Sequence, residues 1–171
     1  MENCISESEV IEFVNALKEA SFTAIFSKSN HSAAVKAYQY LTFLRGDIML
    51  PPLIEKLNES IESLTEPHRY TSILSCLVSV ARELASFNPN HKIQTQLHIV
   101  PLLSAVLPGL DPNDSNKSIL TLQFIHNVIS CVLVVDCSPA LQIRNDLTEH
   151  EKELIFETNK FEDFIHEFFV K

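Results

Sequence analysis

The sequence predicts an all-α protein, built from antiparallel helix pairs that stack as a solenoid segment. Only 2 of the 171 residues are glycine and 46% are hydrophobic, which favours helices over a turn-rich β-sandwich or a glycine-dependent nucleotide fold. Apolar residues recur at three- and four-residue steps, and short polar or proline-containing turns separate the runs. The length suits one domain, so we expect a single unit over residues 1–171 with about three helix pairs.

The first predicted pair has helices at about Ser8 to Phe26 and His31 to Leu44. Gly46 is placed to stop the second helix, and a short turn over residues 45–47 follows. Each helix carries an amphipathic stripe. The first stripe comprises Val10, Val14 and Leu17, with Ile11 and Phe22 flanking it, and the second comprises Ala34, Val35, Tyr38 and Leu41.

A proline pair marks the third helix. Pro51 and Pro52 are expected just inside its start, where a missing amide hydrogen is harmless. Its predicted buried stripe is Leu53, Leu57, Ile61 and Leu64. The run from Thr65 to Pro67 is expected to end this helix and begin another.

The fourth helix has the cleanest apolar pattern in the chain. Two adjacent ridges cover so wide a face that burial between two neighbouring helices is predicted. The ridges are Ile73, Leu77, Val80 and Leu84, then Leu74, Val78, Ala81 and Ala85.

The second half is predicted to contain three more helices. After a polar loop at 88–94, a short helix over 98–107 ends at Pro108 and Gly109, and the DPND run supplies the cap of the next. That next helix, Ile119 to Val135, is expected to be buried, and is too short and polar to span a membrane. A loop containing Pro139 leads to the last, amphipathic helix, for which Thr148 and Glu151 have capping-box spacing. Its apolar face comprises Leu154, Phe161, Ile165 and Phe168, and we expect it to be still running at the end of the chain.

A weak internal repeat supports a solenoid. LPPLIEKL from Leu50 and VPLLSAVL from Val100 share a proline followed by aliphatic residues, each opening the shorter helix of a pair. Their separation is close to the upper range of HEAT-type repeats. Ordinary proline placement near helix starts is an alternative explanation.

Charge restricts the possible partners. The formal net charge is −9, from 13 Lys and Arg against 22 Asp and Glu, which disfavours direct DNA binding and binding to anionic membranes. Either the acids form only a solvated surface, or they form an acidic wall that faces a basic partner.

The sequence contains no local signature of an enzyme, cofactor or metal site. With only two glycines, well separated, neither phosphate-binding glycine loop can form, and G-x-S-x-G, H-E-x-x-H and C-x-x-C are absent. We therefore predict no catalytic, cofactor-binding or metal-ligating residue. The four cysteines lie in or beside apolar runs and are expected to be buried free thiols without disulfides. The acidic N-terminus does not fit a secretory signal.

Some residue groups could still carry chemistry or binding, although a structural role is favoured for each. Cys76 with His126 could pair as nucleophile and base, but an inert core thiol is favoured. Cys131 and Cys137 are six residues apart and are expected on different helix faces or in a loop, so a shared metal site would need distant partners. The histidines are expected on surfaces or loops. The acidic pairs are expected on solvated helix faces, and the phenylalanine cluster in a core or an uncovered repeat seam. These sets are Glu149 and Glu153, Glu162 and Asp163, and Phe161, Phe164, Phe168 and Phe169.

Several stretches in fixed order resemble one family. They are FLRGDIMLPPLIEKLNESIESLTEPHRYTSILSCLVSVARELAS, HIVPLLSAVLPGLDPND, LQFI, VDCS and IRNDLTEHEKEL. From about Phe26 to Phe169, the chain resembles a segment of the giant HEAT-repeat proteasome activator family, of which it covers only a small part. LTEPH, LPGLDPND and RNDLTE are specific in combination.

The resemblance implies a curved solenoid that caps the 20S core proteasome without ATP and promotes ubiquitin-independent degradation of peptides and acetylated histones. It also implies location in nucleus and cytoplasm, with links to DNA repair and sperm development. The family opens the proteasome gate with a C-terminal hydrophobic-Tyr motif, whereas this chain ends Phe169, Val170, Lys171. The acetyl-lysine-reading region and the inositol-phosphate sites match no residues here. We therefore expect a partial or truncated member that contributes wall to the solenoid; the alternative is a stand-alone acidic adaptor for a basic protein.

Overall fold

A computed structural model describes residues 5–62, 67–85, 95–132 and 134–170. Within these ranges the regular structure is helical and contains no strand, as predicted. Two 3₁₀ turns, Thr95–His98 and Leu107–Gly109, flank the fifth helix. The helices are α1 Glu7–Ala24, α2 His31–Leu44, α3 Gly46–Glu62, α4 Pro67–Ala85, α5 Ile99–Val106, α6 Ser115–Cys131, α7 Ala140–Ile143, α8 Glu149–Asn159 and α9 Phe161–Val170.

The helices pack in two layers. In one layer α4 lies between α2 and α6, and in the other α3 lies between α1 and α5, with α9 against the far side of α5. The pairs α1–α2, α3–α4 and α5–α6 join the layers. This pairing is the arrangement of HEAT-type repeats, in which each helix pair buries its apolar faces against its neighbours.

The core is centred on α4. Seven of the eight predicted ridge residues are buried, and Val78 is partly buried against them. Two amides also tie neighbouring helices to it: Gln39 Nε2 of α2 donates to the Ser79 carbonyl at 2.8 Å, and Asn127 Nδ2 of α6 donates to the Val78 carbonyl at 3.1 Å. The prediction that α4 lies between two neighbours is confirmed.

Side-chain caps set where three helices begin. Asp114 caps α6 by accepting from the Lys117 amide at 3.0 Å, as the DPND run predicts. The predicted capping box at α8 is present: the Glu151 amide donates to Thr148 Oγ1 at 3.2 Å and the Thr148 amide to Glu151 Oε2 at 2.7 Å. A second capping box, unpredicted, starts α1 at Ser6.

The start of α3 differs from the prediction. The helix begins at Gly46, so that glycine does not lie in a turn beyond α2, and Pro51 and Pro52 lie in the second helical turn. An interior proline costs about 3 kcal/mol relative to alanine. Apolar side chains on both sides of the prolines are fully buried, and each contributes about 1.5–3 kcal/mol, so packing offsets the cost of the two prolines. They are Met49, Leu50, Leu53 and Leu57. α3 is the shorter helix of the α3–α4 pair, at 17 residues against 19, but the prolines lie inside it and do not open it.

The predicted apolar helix at 119–135 is also shifted. α6 covers Ser115–Cys131, and Val132 is extended at φ −114° and ψ 135°. Only one face of α6 is buried, through Thr121, Phe124, Ile125 and Val128. The β-branched run that ends at Val135 weakly favours extended backbone, and Val134 and Val135 are half-exposed.

The last predicted helix is two helices. α8 ends at Asn159, and the Lys160 amide bonds back to the carbonyls of Glu157 and Thr158 in a tight turn before α9. The break lets α9 turn onto α5, where Phe161 and Phe164 are buried.

Some predicted residues have other positions or cannot be placed. Leu17 was predicted on the buried stripe of α1 but is 40% exposed, whereas Ser21 is buried there. Leu64, Thr65, Glu66, the loop at 88–94, Cys4, His91 and Lys171 lie outside the described residues.

Candidate interaction surfaces

The surroundings of Cys76 and His126 do not favour a catalytic pair. Cys76 is fully buried in α4, and burial raises the pKa of its thiol to about 12, so the thiol stays protonated near neutral pH. The His126 side chain is exposed. A protonated core thiol is a poor nucleophile, which fits the favoured interpretation of Cys76 as a core residue.

The other two described cysteines correct the prediction of buried thiols. Cys131 and Cys137 are exposed free thiols, at the end of α6 and in the non-helical segment after it. Cys131 is not among the buried residues of α6, which are Thr121, Phe124, Ile125 and Val128. Among the described residues, no group of three or more His, Cys, Asp and Glu is placed to hold a metal ion.

One histidine is not a simple surface residue. His31, the first residue of α2, is partly buried; its Nδ1 donates to the Ile25 carbonyl at 2.6 Å, and its Nε2 lies 3.3 Å from the Ser75 hydroxyl of α4. It therefore ties the α1–α2 turn to the central helix. The other described histidines are exposed or partly exposed.

The predicted acidic pairs lie on exposed helix faces, as expected. Glu149 pairs with Lys152 at 2.7 Å along α8, and Glu153 is exposed on the same helix. Glu162 and Asp163 are exposed in the first turn of α9, where negative charge is favoured by the helix dipole.

The phenylalanine cluster runs from core to solvent. Its rings contact one another in sequence order, with centroids 5.5–6.1 Å apart. Phe161 and Phe164 are buried, Phe168 is partly buried and Phe169 is 79% exposed. The predicted core position therefore applies to Phe161 and Phe164, and the predicted uncovered position applies to Phe169.

Apolar residues are also uncovered at both ends of the helix stack. On the first pair, α2 exposes Tyr40 and Phe43, at 68% and 73%. On the last elements, α6 exposes Ile119 and Leu122, and α9 exposes Ile165, Phe169 and Val170. Contiguous exposed apolar residues mark interaction surfaces, and in a solenoid these ends are where neighbouring repeats stack.

A groove between α5, the segment after α6, α8 and α9 was not predicted. It has a volume of about 180 Å³, and valine, isoleucine, leucine and phenylalanine form most of its wall. Sequence reasoning missed it because residues 132–135 were expected to be helical. Its one local signal was the valine run, whose β-branched side chains favour extended backbone.

Paired helices in two layers, with apolar residues uncovered at both ends of the stack, define a HEAT-type α-solenoid segment. Residues 1–171 match the family model described as proteasome activator complex subunit 4, mid HEAT repeats region. This chain belongs to that family.

Curated relatives agree with this membership. The chain is 42% identical over 164 residues to proteasome activator complex subunit 4B of Danio rerio and, over the same length, to proteasome activator complex subunit 4 of Homo sapiens; both matches cover 96% of this chain. Proteasome activator subunit 4 of Arabidopsis thaliana is 24% identical over 148 residues, 79% of this chain. The chain spans only 9% of the length of the two animal relatives and 8% of the plant one.

None of the described helices is long and apolar enough to cross a membrane.

Proposed function

We propose that this chain acts as a wall segment of an ATP-independent proteasome activator that caps the 20S core and promotes ubiquitin-independent degradation of peptides and acetylated histones. The match of the whole chain to the mid HEAT region of proteasome activator complex subunit 4 carries the proposal. The exposed apolar residues at both ends of the stack support it, because neighbouring repeats would bury them. The role is structural and regulatory rather than catalytic, and its setting is the nucleus and cytoplasm.

The test is a replacement within a full-length relative. The 164 matched residues of the human protein are exchanged for this chain, and 20S peptidase activity is followed with a fluorogenic peptide. We expect the chimera to stimulate the 20S particle to within about threefold of the parent and to degrade acetylated histones. A chimera that folds and fails to stimulate would overturn the wall-segment role.

Two controls accompany this test. A chimera that carries Leu77→Asp, which places a charge in the fully buried centre of α4, should lose stimulation because the segment cannot pack. The isolated 171-residue chain should leave 20S activity unchanged. Strong stimulation by the isolated chain would contradict a purely structural role.

A second function, binding of a basic protein through an acidic surface, is supported by the distribution of charge. Residues 134–170 contain nine acidic and three basic residues, and so carry −6 of the net −9. Binding of the isolated chain to an unmodified basic protein should be strong at low salt and weaken steeply toward 0.5 M salt. Absence of binding at low salt would refute this function.

A further inference from the structure

The unpredicted groove has the size and chemistry of a binding site for one apolar side chain. Its volume is about 180 Å³, and a cavity of about 150 Å³ with similar walls can hold a benzene molecule. Three helices and the extended segment converge on it, so its shape depends on the tertiary fold. Its main apolar contacts are Ile99, Val100, Val132, Leu154, Ile155 and Phe161.

Among the described residues, one carboxylate oxygen in this wall is buried without a hydrogen-bond partner. Glu157 accepts from Lys160 through Oε1 at 2.6 Å, while its Oε2 is buried and without a hydrogen-bond partner in the described part of the chain. Buried acceptors are nearly always satisfied, because leaving one unpaired costs free energy. The groove therefore combines apolar walls with one acceptor that a bound donor could satisfy.

The surroundings of the groove favour a cationic donor. A shallower hollow of about 460 Å³ shares Val134, Val135 and Phe161 with the groove and adds the carboxylates of Asp136 and Glu162. Both carboxylates are exposed. They stand within the segment that carries most of the negative charge of the chain.

We propose that this groove binds a basic amphipathic peptide segment of a partner protein. One apolar side chain of leucine or phenylalanine size enters the 180 Å³ groove. A flanking Lys or Arg lies with its stem along the valines and its charged end against Glu157 and the two carboxylates of the hollow. The proposal deepens the second function above and rests on it, since it names the place and the chemistry of binding.

The experiment measures fluorescence anisotropy of three labelled peptides with the 171-residue chain: KRKLFKRK, KRKSSKRK and EEELFEEE. We expect KRKLFKRK to bind at least tenfold more tightly than either of the others. The serine peptide keeps the charge and removes the apolar anchor, and the acidic peptide keeps the anchor and reverses the charge.

Matched variants locate the site. Glu157→Gln keeps the shape and removes the charge, and Val135→Arg places a cation at the mouth of the groove; each should weaken KRKLFKRK binding at least fivefold. The controls are Glu149→Gln, also on α8, and Ile143→Arg, an exposed apolar position outside the lining of both hollows. Both controls should leave binding within twofold, with circular dichroism showing that all four variants remain folded.

Other outcomes separate the two ideas. Equal binding of KRKLFKRK and KRKSSKRK, undisturbed by Val135→Arg, would overturn the groove site and leave charge-driven binding of basic proteins standing. If EEELFEEE binds as tightly as KRKLFKRK, the bound segment need not be cationic, and the proposal as stated is refuted. If neither the basic peptides nor an intact basic protein binds, the second function and the groove site both fail.

Discussion

Gly109 lies where the 3₁₀ turn after α5 contacts the central helices, and a methyl group added there would have no space. Its Cβ would stand 2.2 Å from Thr121 Oγ1 and 2.5 Å from Tyr70 Oη. Both hydroxyl groups belong to buried residues and have fixed partners: Thr121 donates to the Lys117 carbonyl at 2.9 Å, and Tyr70 to the Val106 carbonyl at 3.2 Å. Gly109→Ala must therefore displace at least one of them.

The expected cost follows from these contacts. Overpacking a well-packed core costs about 1–3 kcal/mol, and loss of the Tyr70 hydrogen bond adds about 1 kcal/mol. The lower entropy of the unfolded alanine chain offsets about 0.4–1 kcal/mol. We expect a net loss of roughly 2 kcal/mol in the free energy of unfolding, which at an m-value of about 2 kcal/mol/M lowers the urea midpoint by about 1 M.

Urea unfolding followed by circular dichroism at 222 nm measures the change, since the signal of this protein is helical. Gly46→Ala is the matched control, because its Cβ would meet only Leu50 Cδ1, at an ordinary 3.5 Å; we expect it to leave stability unchanged or raise it by up to about 1 kcal/mol. In a background with Tyr70→Phe and Thr121→Ala, the cost of Gly109→Ala should fall by at least half. A Gly109→Ala protein as stable as its parent would refute the close packing described here.

Three further predictions concern burial, capping and thiol chemistry. Leu77→Ala, at a fully buried site, should cost about 2–5 kcal/mol, whereas Leu122→Ala, at a site 46% exposed, should change stability by less than about 0.5 kcal/mol; similar urea midpoints would contradict the assigned faces. Thr148→Ala removes the cap of α8 and should cost about 0.5–2 kcal/mol, with faster amide hydrogen exchange in the first turn of α8; unchanged exchange there would argue against the capping box. Iodoacetamide at pH 8 should modify exposed Cys131 within minutes and leave Cys76 intact, as read by peptide mass mapping, because burial raises the Cys76 pKa from 9.0 to about 12. That pKa shift stabilises the fold below pH 9, and the contribution is lost as pH rises toward 12, since the unfolded thiol ionises first.

The sequence predicted helices best where local pattern and tertiary packing agree. The bounds of α2 are those predicted, and the ridges of α4 are buried as expected. The start of α6 was misplaced although its cap was recognised, because the apolar run from Ile119 outweighed the polar residues that form the first turn. The prediction for α3 was wrong because the prolines were expected at the start of the helix, whereas burial of Met49 and Leu50 before them stabilises a start at Gly46.

The candidate groove was beyond sequence reasoning for a different reason. Its walls bring residues of α5 against the segment after α6, α8 and α9, and about 30 residues of chain separate α5 from the first of these. Glu157 has the sequence context of any solvated helix carboxylate, and only packing shows that one of its oxygens is buried without a hydrogen-bond partner in the part of the chain that the structure describes. The charge of the C-terminal segment could be counted from the sequence, but its position beside an apolar hollow could not.

By itself the sequence determined the helical class, a cap for α6 within the DPND run, the cap at Thr148, the wide buried face of α4 and the resemblance to the proteasome activator family. These properties depend on residue type and on apolar residues that recur every three or four positions. Both are features of short stretches of sequence. Tertiary structure alone decided where α3 begins, where α6 ends, that α8 and α9 are separate, and which apolar residues remain uncovered. Each of these depends on the free energy gained when helices distant in sequence pack, and that energy exceeds the small local preferences that a pattern records.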